Sequence, residues 1–247
     1  MSHPIGARRR LIIIGAGGLG RETLWTAEEI PADQRDWEIA GFLDDDVDGA
    51  RDALARCGVD LPVIGGIIDH SPHGDEVFVP AIPSPRARLG RCNALRSRGA
   101  SFVNLRHPTS LVHRSATLGE GVVLRQYTGV GPNAVLGDFV FIDLLGGPAH
   151  DVVVGDGCHV GAHSDIMGGA VLGRGVTLGA HAAVLPGARV GDFATVGAGS
   201  VVIRRVAPGA TVFGVPAQRL MFVPPVQPDD SDGAAQAARH GATSGGR

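Results

Sequence analysis

The chain contains no lysine; all 22 of its basic residues are arginine. Schiff-base or general-base chemistry on a lysine amine is therefore excluded. Aromatic residues are scarce at 4%, whereas glycine occurs 38 times. A core built from such a chain must be filled by small aliphatic side chains on tight turns. The three cysteines, Cys57, Cys92 and Cys158, are too few and too scattered for a disulfide framework or a paired zinc spacing. They read as reduced thiols of a cytoplasmic protein. No apolar run approaches the roughly 18 residues of a membrane span, so no membrane insertion is expected. Leu11–Ile14 stops at Gly15, too short for the apolar region of a signal peptide. A formal net charge of −3 implies no nucleic-acid surface. The Arg8-Arg9-Arg10 run reads as a solvated arm before the first strand.

What is present is a six-residue beat. Stepping by six from Val112 to Val202, fifteen of sixteen positions are aliphatic, and the exception is Pro148. Four residues after each, fourteen of sixteen are Ala, Val, Ser or Thr. These two positions share one strand face, because strand side chains alternate with period two, and both point inward. Three residues after the aliphatic position, Gly121, Gly157, Gly169, Gly175, Gly187, Gly199 and Asn133 recur, where a tight turn calls for positive φ. One strand and one turn per hexad, three hexads per coil, predicts a triangular parallel β-prism. Sixteen hexads give a little over five coils, roughly 25 Å tall at 4.8 Å per coil.

The first hundred residues read differently. Leu11–Ile14 predicts a buried strand running into Gly15-Ala-Gly17-Gly18-Leu19-Gly20, with a helix from about Arg21 to Ile30. A second strand over Glu38–Leu43 ends in Asp44-Asp45-Asp46. A third over Glu76–Ala81 precedes a helix from Ser84 to Arg98. This is a half-Rossmann pattern. Gly15, Gly17, Gly18 and Gly20 would let a phosphate approach backbone N–H groups at the helix N-terminus, and Asp44 and Asp45 would hydrogen-bond ribose or base. A nucleotide-linked substrate fits better than a nicotinamide cofactor, because no second domain suits hydride chemistry.

The hexad that breaks the aliphatic rule reads Pro148-Ala-His150-Asp151-Val-Val. His150 and Asp151 fall at a coil corner, pointing outward. An imidazole there can take a proton from an attacking amine or hydroxyl, with Asp151 orienting it. His159 starts the next outward strand segment, beside inward Cys158, where it could hydrogen-bond an acyl carbonyl or a pantetheine amide. No Ser or Cys sits beside His150, which favours direct transfer over a covalent intermediate. His163 and His181, eighteen residues apart, stack on one corner and read as exposed turn residues; no metal is expected.

The glycine loop, Phe42-Leu43-Asp44-Asp45, Val103–Pro108, the hexads and the closing Gly214-Val215-Pro216-Ala217 together resemble the sialic acid/bacillosamine-type sugar O- and N-acetyltransferases over residues 10–222. That resemblance implies a left-handed hand for the β-helix and a homotrimer with acetyl-CoA as co-substrate in the groove between neighbouring prisms. It implies a nucleotide-linked sugar on the N-terminal domain, a catalytic His–acid pair at His150 and Asp151, and a histidine near the acetyl group at His159. Leu19 stands where such proteins often carry histidine, and Val47–Leu61 is longer than expected. The organisation expected is a Rossmann-like domain over 1–104, a left-handed β-helix over 105–222 and a disordered tail over 223–247. Two other readings use the same residues: a β-helical metal-dependent lyase resembling carbonic anhydrases, through His159, His163 and His181, or a non-catalytic nucleotide-binding assembly protein.

Overall fold

The computed structural model describes residues 8–220; the tail expected over 223–247 lies outside them. Strands β1 (Arg9–Ile14), β2 (Trp37–Leu43), β3 (Val63–Gly65), β4 (Glu76–Pro80) and β5 (Ser101–Phe102) form a parallel sheet in the order β3-β2-β1-β4-β5. Helices α1 (Gly18–Glu28), α2 (Val47–Arg56) and α3 (Pro85–Ser97) connect them. The strand order reverses between β1 and β4, the place where doubly wound sheets bind ligands at their C-terminal edge. The segment that looked overlong, Val47–Leu61, holds α2, and β3 follows it. Asp46 caps α2 by accepting from the Gly49 N–H at 3.1 Å. Ser84 is the N-cap and Pro85 occupies the first turn, where its missing N–H costs nothing.

The prism follows the predicted beat, with strands of two residues and parallel partners eighteen positions apart. The aliphatic and small positions form one apolar column from Val122 to Val212, sealed from solvent along its length. Leu178, at its centre, is fully buried. Leu178→Ala should cost about 2–5 kcal/mol in reversible chemical unfolding, since coils on both sides prevent collapse into the cavity.

One end differs from expectation. The prism begins at Leu105–Arg106, which pairs with Val123–Leu124, one hexad before the aliphatic steps start at Val112. At the far end the coil shortens by two residues, so Val190 pairs Val206 and Val196 pairs Val212. The ladder also breaks once in mid-prism. Pro148 is buried in the aliphatic slot but has no N–H to donate, and this face divides there into a two-stranded and a four-stranded piece.

The glycine that recurs one residue after the aliphatic position is explained by crowding. A Cβ on Gly161 would lie 2.7 Å from the Leu178 carbonyl oxygen, and one on Gly179 2.5 Å from the Ala198 nitrogen. At the fourth place φ is positive in fourteen of the sixteen hexads, with side chains as different as Asp151 at 58°, His163 at 57° and Phe193 at 53°. The backbone there is held by bonds to the coil above, Asp151 N–H to Pro132 and His163 N–H to Leu144.

The sheet domain docks on one face and one corner of the prism. Val123 and Phe141, outward on that face, are buried in the N-terminal core with Ala16 and Leu24. Helix α3 runs along the adjoining corner: Arg96 covers Phe139, Leu89 sits on Gly157 and Arg86 stacks on Phe193 at 3.9 Å. Helix α1 is tied down by ion pairs. Arg125 donates to Glu22 at 2.8 Å and to Asp143 at 2.5 Å, and His107 meets Glu29 at 2.7 Å.

Candidate active site

His150 stands on the corner between the face carrying Pro148 and the face carrying Val153–Val154. Its side chain is 65% exposed and its Nδ1 lies 2.8 Å from Asp151 Oδ2. The other Asp151 oxygen accepts from Asn133 Nδ2 at 3.0 Å, from the same corner one coil above. These two hydrogen bonds, first from His150 and then from Asn133, hold the Asp151 carboxyl below its usual range. An ionised Asp151 fixes the proton on Nδ1 and leaves the Nε2 lone pair free as a base. The ring lies across Gly168, where an added Cβ would be 2.5 Å from Cε1 and Nε2. Gly168→Ala should therefore displace the imidazole and slow turnover while leaving the thermal midpoint close to wild type; steady-state kinetics beside a melting curve tests both.

Asn133 is a member of this relay that sequence reasoning read only as a turn residue. A second missed group is His107, Arg125 and Asp143, at successive eighteen-residue intervals on the docked face. Arg125 and Asp143 occupy places where glycine is usual, and that substitution was the available signal.

His159 is not the exposed residue its alternation suggested. Its ring stacks on Phe141 with centroids 5.2 Å apart and planes within 1°, and its Nδ1 is buried without a partner among the described residues. Burial, then the positive charge of Arg88, drives its pKa from 6.5 down to about 4. The docked N-terminal domain is the cause, because it covers the face on which His159 stands. The sign of the linkage follows. Below pH 6.5 the unfolded chain takes up a proton that the folded one refuses until about 4, so stability falls through that window as pH drops. His159→Phe should flatten this acid limb in unfolding measured between pH 4 and 7.

His150 and His159 point away from each other. His150 is on one corner of the triangle and His159 on the face opposite that corner, since the strands at Pro148, Val154 and Val160 belong to three different sheets. Beside the His150 corner a groove of about 700 Å³ runs along the broken face, lined by Leu111, Tyr127, Gly131, Pro148, Ala149 and Met167.

In the N-terminal domain, Gly15 has φ +103° and abuts Ala81, while a Cβ on Gly20 would strike the Gly15 carbonyl oxygen at 2.1 Å. Gly17 and Gly18 have nothing within 4 Å of a Cβ, so their backbone is open to a ligand. Asp44 and Asp45 both meet the protein's own donors. Asp44 accepts from Ala16 N–H at 2.8 Å and Asp46 N–H at 3.1 Å. Asp45 accepts from Ile67 and Ile68 N–H and from Arg91. Asp44 thus braces the glycine loop at Ala16, and Asp45 the Ile67–Ile68 segment.

The metal-lyase alternative does not gather its ligands. His163 and His181 are parallel at 4.6 Å on one corner, His159 is on a face, and no group of three His, Cys, Asp or Glu suited to a metal occurs among the described residues.

Residues 10–95 match the PglD N-terminal domain family. No curated protein matches the chain. Among solved structures, PerB from Caulobacter crescentus, in complex with CoA and GDP-perosamine, is 29% identical with TM-score 0.75, covering 89% of this chain and 100% of its own. A histidine variant of the perosamine N-acetyltransferase from Caulobacter crescentus, with the same ligands, gives 29% and 0.76 over 90% of this chain and 100% of its own. The acetyltransferase domain of PglB from Neisseria gonorrhoeae, in complex with acetyl coenzyme A, is 27% identical with TM-score 0.75, covering 87% of this chain and 100% of its own. The chain thus carries a PglD-type N-terminal domain, and along nearly its whole length it is similar to sugar N-acetyltransferases such as PerB and the PglB domain.

Proposed function

We propose that the protein is an acetyl-CoA-dependent N-acetyltransferase acting on the amino group of a nucleoside-diphosphate sugar, and that it works as a cytoplasmic homotrimer. The observation that carries the catalytic assignment is the Asn133–Asp151–His150 relay, which leaves one imidazole nitrogen unpaired on an exposed corner. The amine nitrogen attacks the thioester carbonyl as His150 Nε2 takes its proton. The tetrahedral adduct then breaks its C–S bond, and the imidazolium returns the proton to the thiolate, giving amide and free CoA. Neutral His159, with its unpaired nitrogen, supports a role in hydrogen-bonding the acetyl end of the donor. The separation of His150 and His159 across one prism supports a site completed by a neighbouring copy, with the groove along the broken face as its wall.

Gly15, Gly17, Gly18 and Gly20 would form the acceptor site, with Gly17 and Gly18 backbone on the diphosphate. Asp44 would serve it by holding the glycine loop, and Asp45 by holding the Ile67–Ile68 segment. GDP-perosamine, bound by PerB, sets the acceptor class to try first. The test is thiol release from acetyl-CoA with a panel of GDP-, UDP- and dTDP-linked amino sugars, with mass spectrometry of the product. An N-acetylated sugar nucleotide is expected. Absence of acetyl transfer to every amino sugar, or acetylation of hydroxyls alone, would overturn the assignment.

A further inference from the structure

Arg88 is fully buried in the junction between the domains, and no carboxylate among the described residues pairs with it. All of its hydrogen bonds go to backbone carbonyls. Nη1 donates to Ile82 at 2.6 Å, Nε to Phe139 at 3.0 Å, and Nη2 to Gly157 at 2.8 Å and Cys158 at 3.0 Å. An unpaired charge in such a place is costly, and dispersing it over four carbonyl dipoles is what the fold offers instead. The partners are not scattered. Ile82 follows β4 at the switch point and touches the position of Gly15, so it belongs to the edge where the acceptor would bind. Gly157 and Cys158 are the two residues before His159.

We propose that Arg88 is a positioning residue for acyl transfer, one planar group that sets the acceptor-binding edge of the N-terminal sheet and the backbone carrying His159 at a fixed separation. Lysine cannot do this, because an ammonium has three donors and no planar fork. The proposal rests on the acyltransferase reading above. The charged groups that face His159 are Arg88 from α3, Arg125 from the coil above Phe141, and Asp143 next to Phe141. Arg88 is the one that also holds backbone on both sides of the junction.

The experiment compares Arg88→Lys, Arg88→Met and Leu89→Ala with wild type by thermal unfolding, by histidine ring ¹⁵N resonances without substrate, and by steady-state kinetics. Leu89 packs on Gly157 without polar contacts, so Leu89→Ala should lower the melting midpoint with kcat as in wild type. Arg88→Lys should keep most of the melting midpoint, shift the His159 ring resonances and lower kcat by about 10–100-fold, as expected for misplacement on the ångström scale. Its KM for acetyl-CoA should stay within about threefold. Arg88→Met should also raise the pH at which the His159 ring titrates. If it does not fold, the lysine variant alone decides. Unchanged kcat and unchanged His159 resonances in the lysine variant would overturn the proposal. If wild type acetylates no amino sugar, the acyltransferase reading fails, and the ring resonances still decide whether Arg88 places His159.

Discussion

Replacing His150 by alanine will slow thiol release from acetyl-CoA by about 10²–10⁴-fold, the usual contribution of a positioned general base. The loss should fall on kcat, with KM for acetyl-CoA little changed, because the imidazole acts on the proton that moves in the transition state. The side chain is 65% exposed and touches the protein only at Gly168 and Asp151, so the melting temperature should move little. Asp151→Asn should give a smaller loss. The asparagine can still meet Nδ1, but it no longer stabilises the imidazolium that forms as the amine is deprotonated. Comparable kcat in wild type and His150→Ala would remove this residue from the chemistry.

The second large effect is a rescue. His150 and His159 occupy a corner and the opposite face of the same prism. If each site takes His150 from one copy and His159 from the next, neither His150→Ala nor His159→Ala alone retains an intact site. Refolding the two variants together at equal concentration should restore about one quarter of wild-type activity, the chance that a groove receives both native residues in a closed ring. Activity that stays at the level of the single variants after subunit exchange, verified by mass spectrometry of the mixed oligomer, would mean that both histidines act from one chain or that one is not used.

The prism was legible in the chain because its cause is local and repeated. Each inward position from Val112 to Val202 obeys one rule, and the structure buries Pro148 there too. The two-residue shortening before Val206 escaped because an aliphatic residue still lands inward. In the sheet domain, α2 is short, polar and interrupted by Gly49, and its boundary signal was the Asp46 cap alone. The His150–Asp151 pair could be picked out because it sits in a hexad that departs from the rule. Asn133 could not, since asparagine at a tight turn already has a sufficient explanation. The burial of His159 is set by the docking of another domain. No periodicity within the prism carries that information.

At the corners, left-handed backbone is imposed by the bonds to neighbouring coils, and residues as different as Tyr127, Leu145, Asp151 and Phe193 adopt it. A column built this way has vacant seats along its edges. Exchanging one edge residue for another alters what the column can recognise or react with and asks nothing of the scaffold. New specificity in such a chain can therefore arise by single replacements at intervals of eighteen, without insertions and without a change of topology.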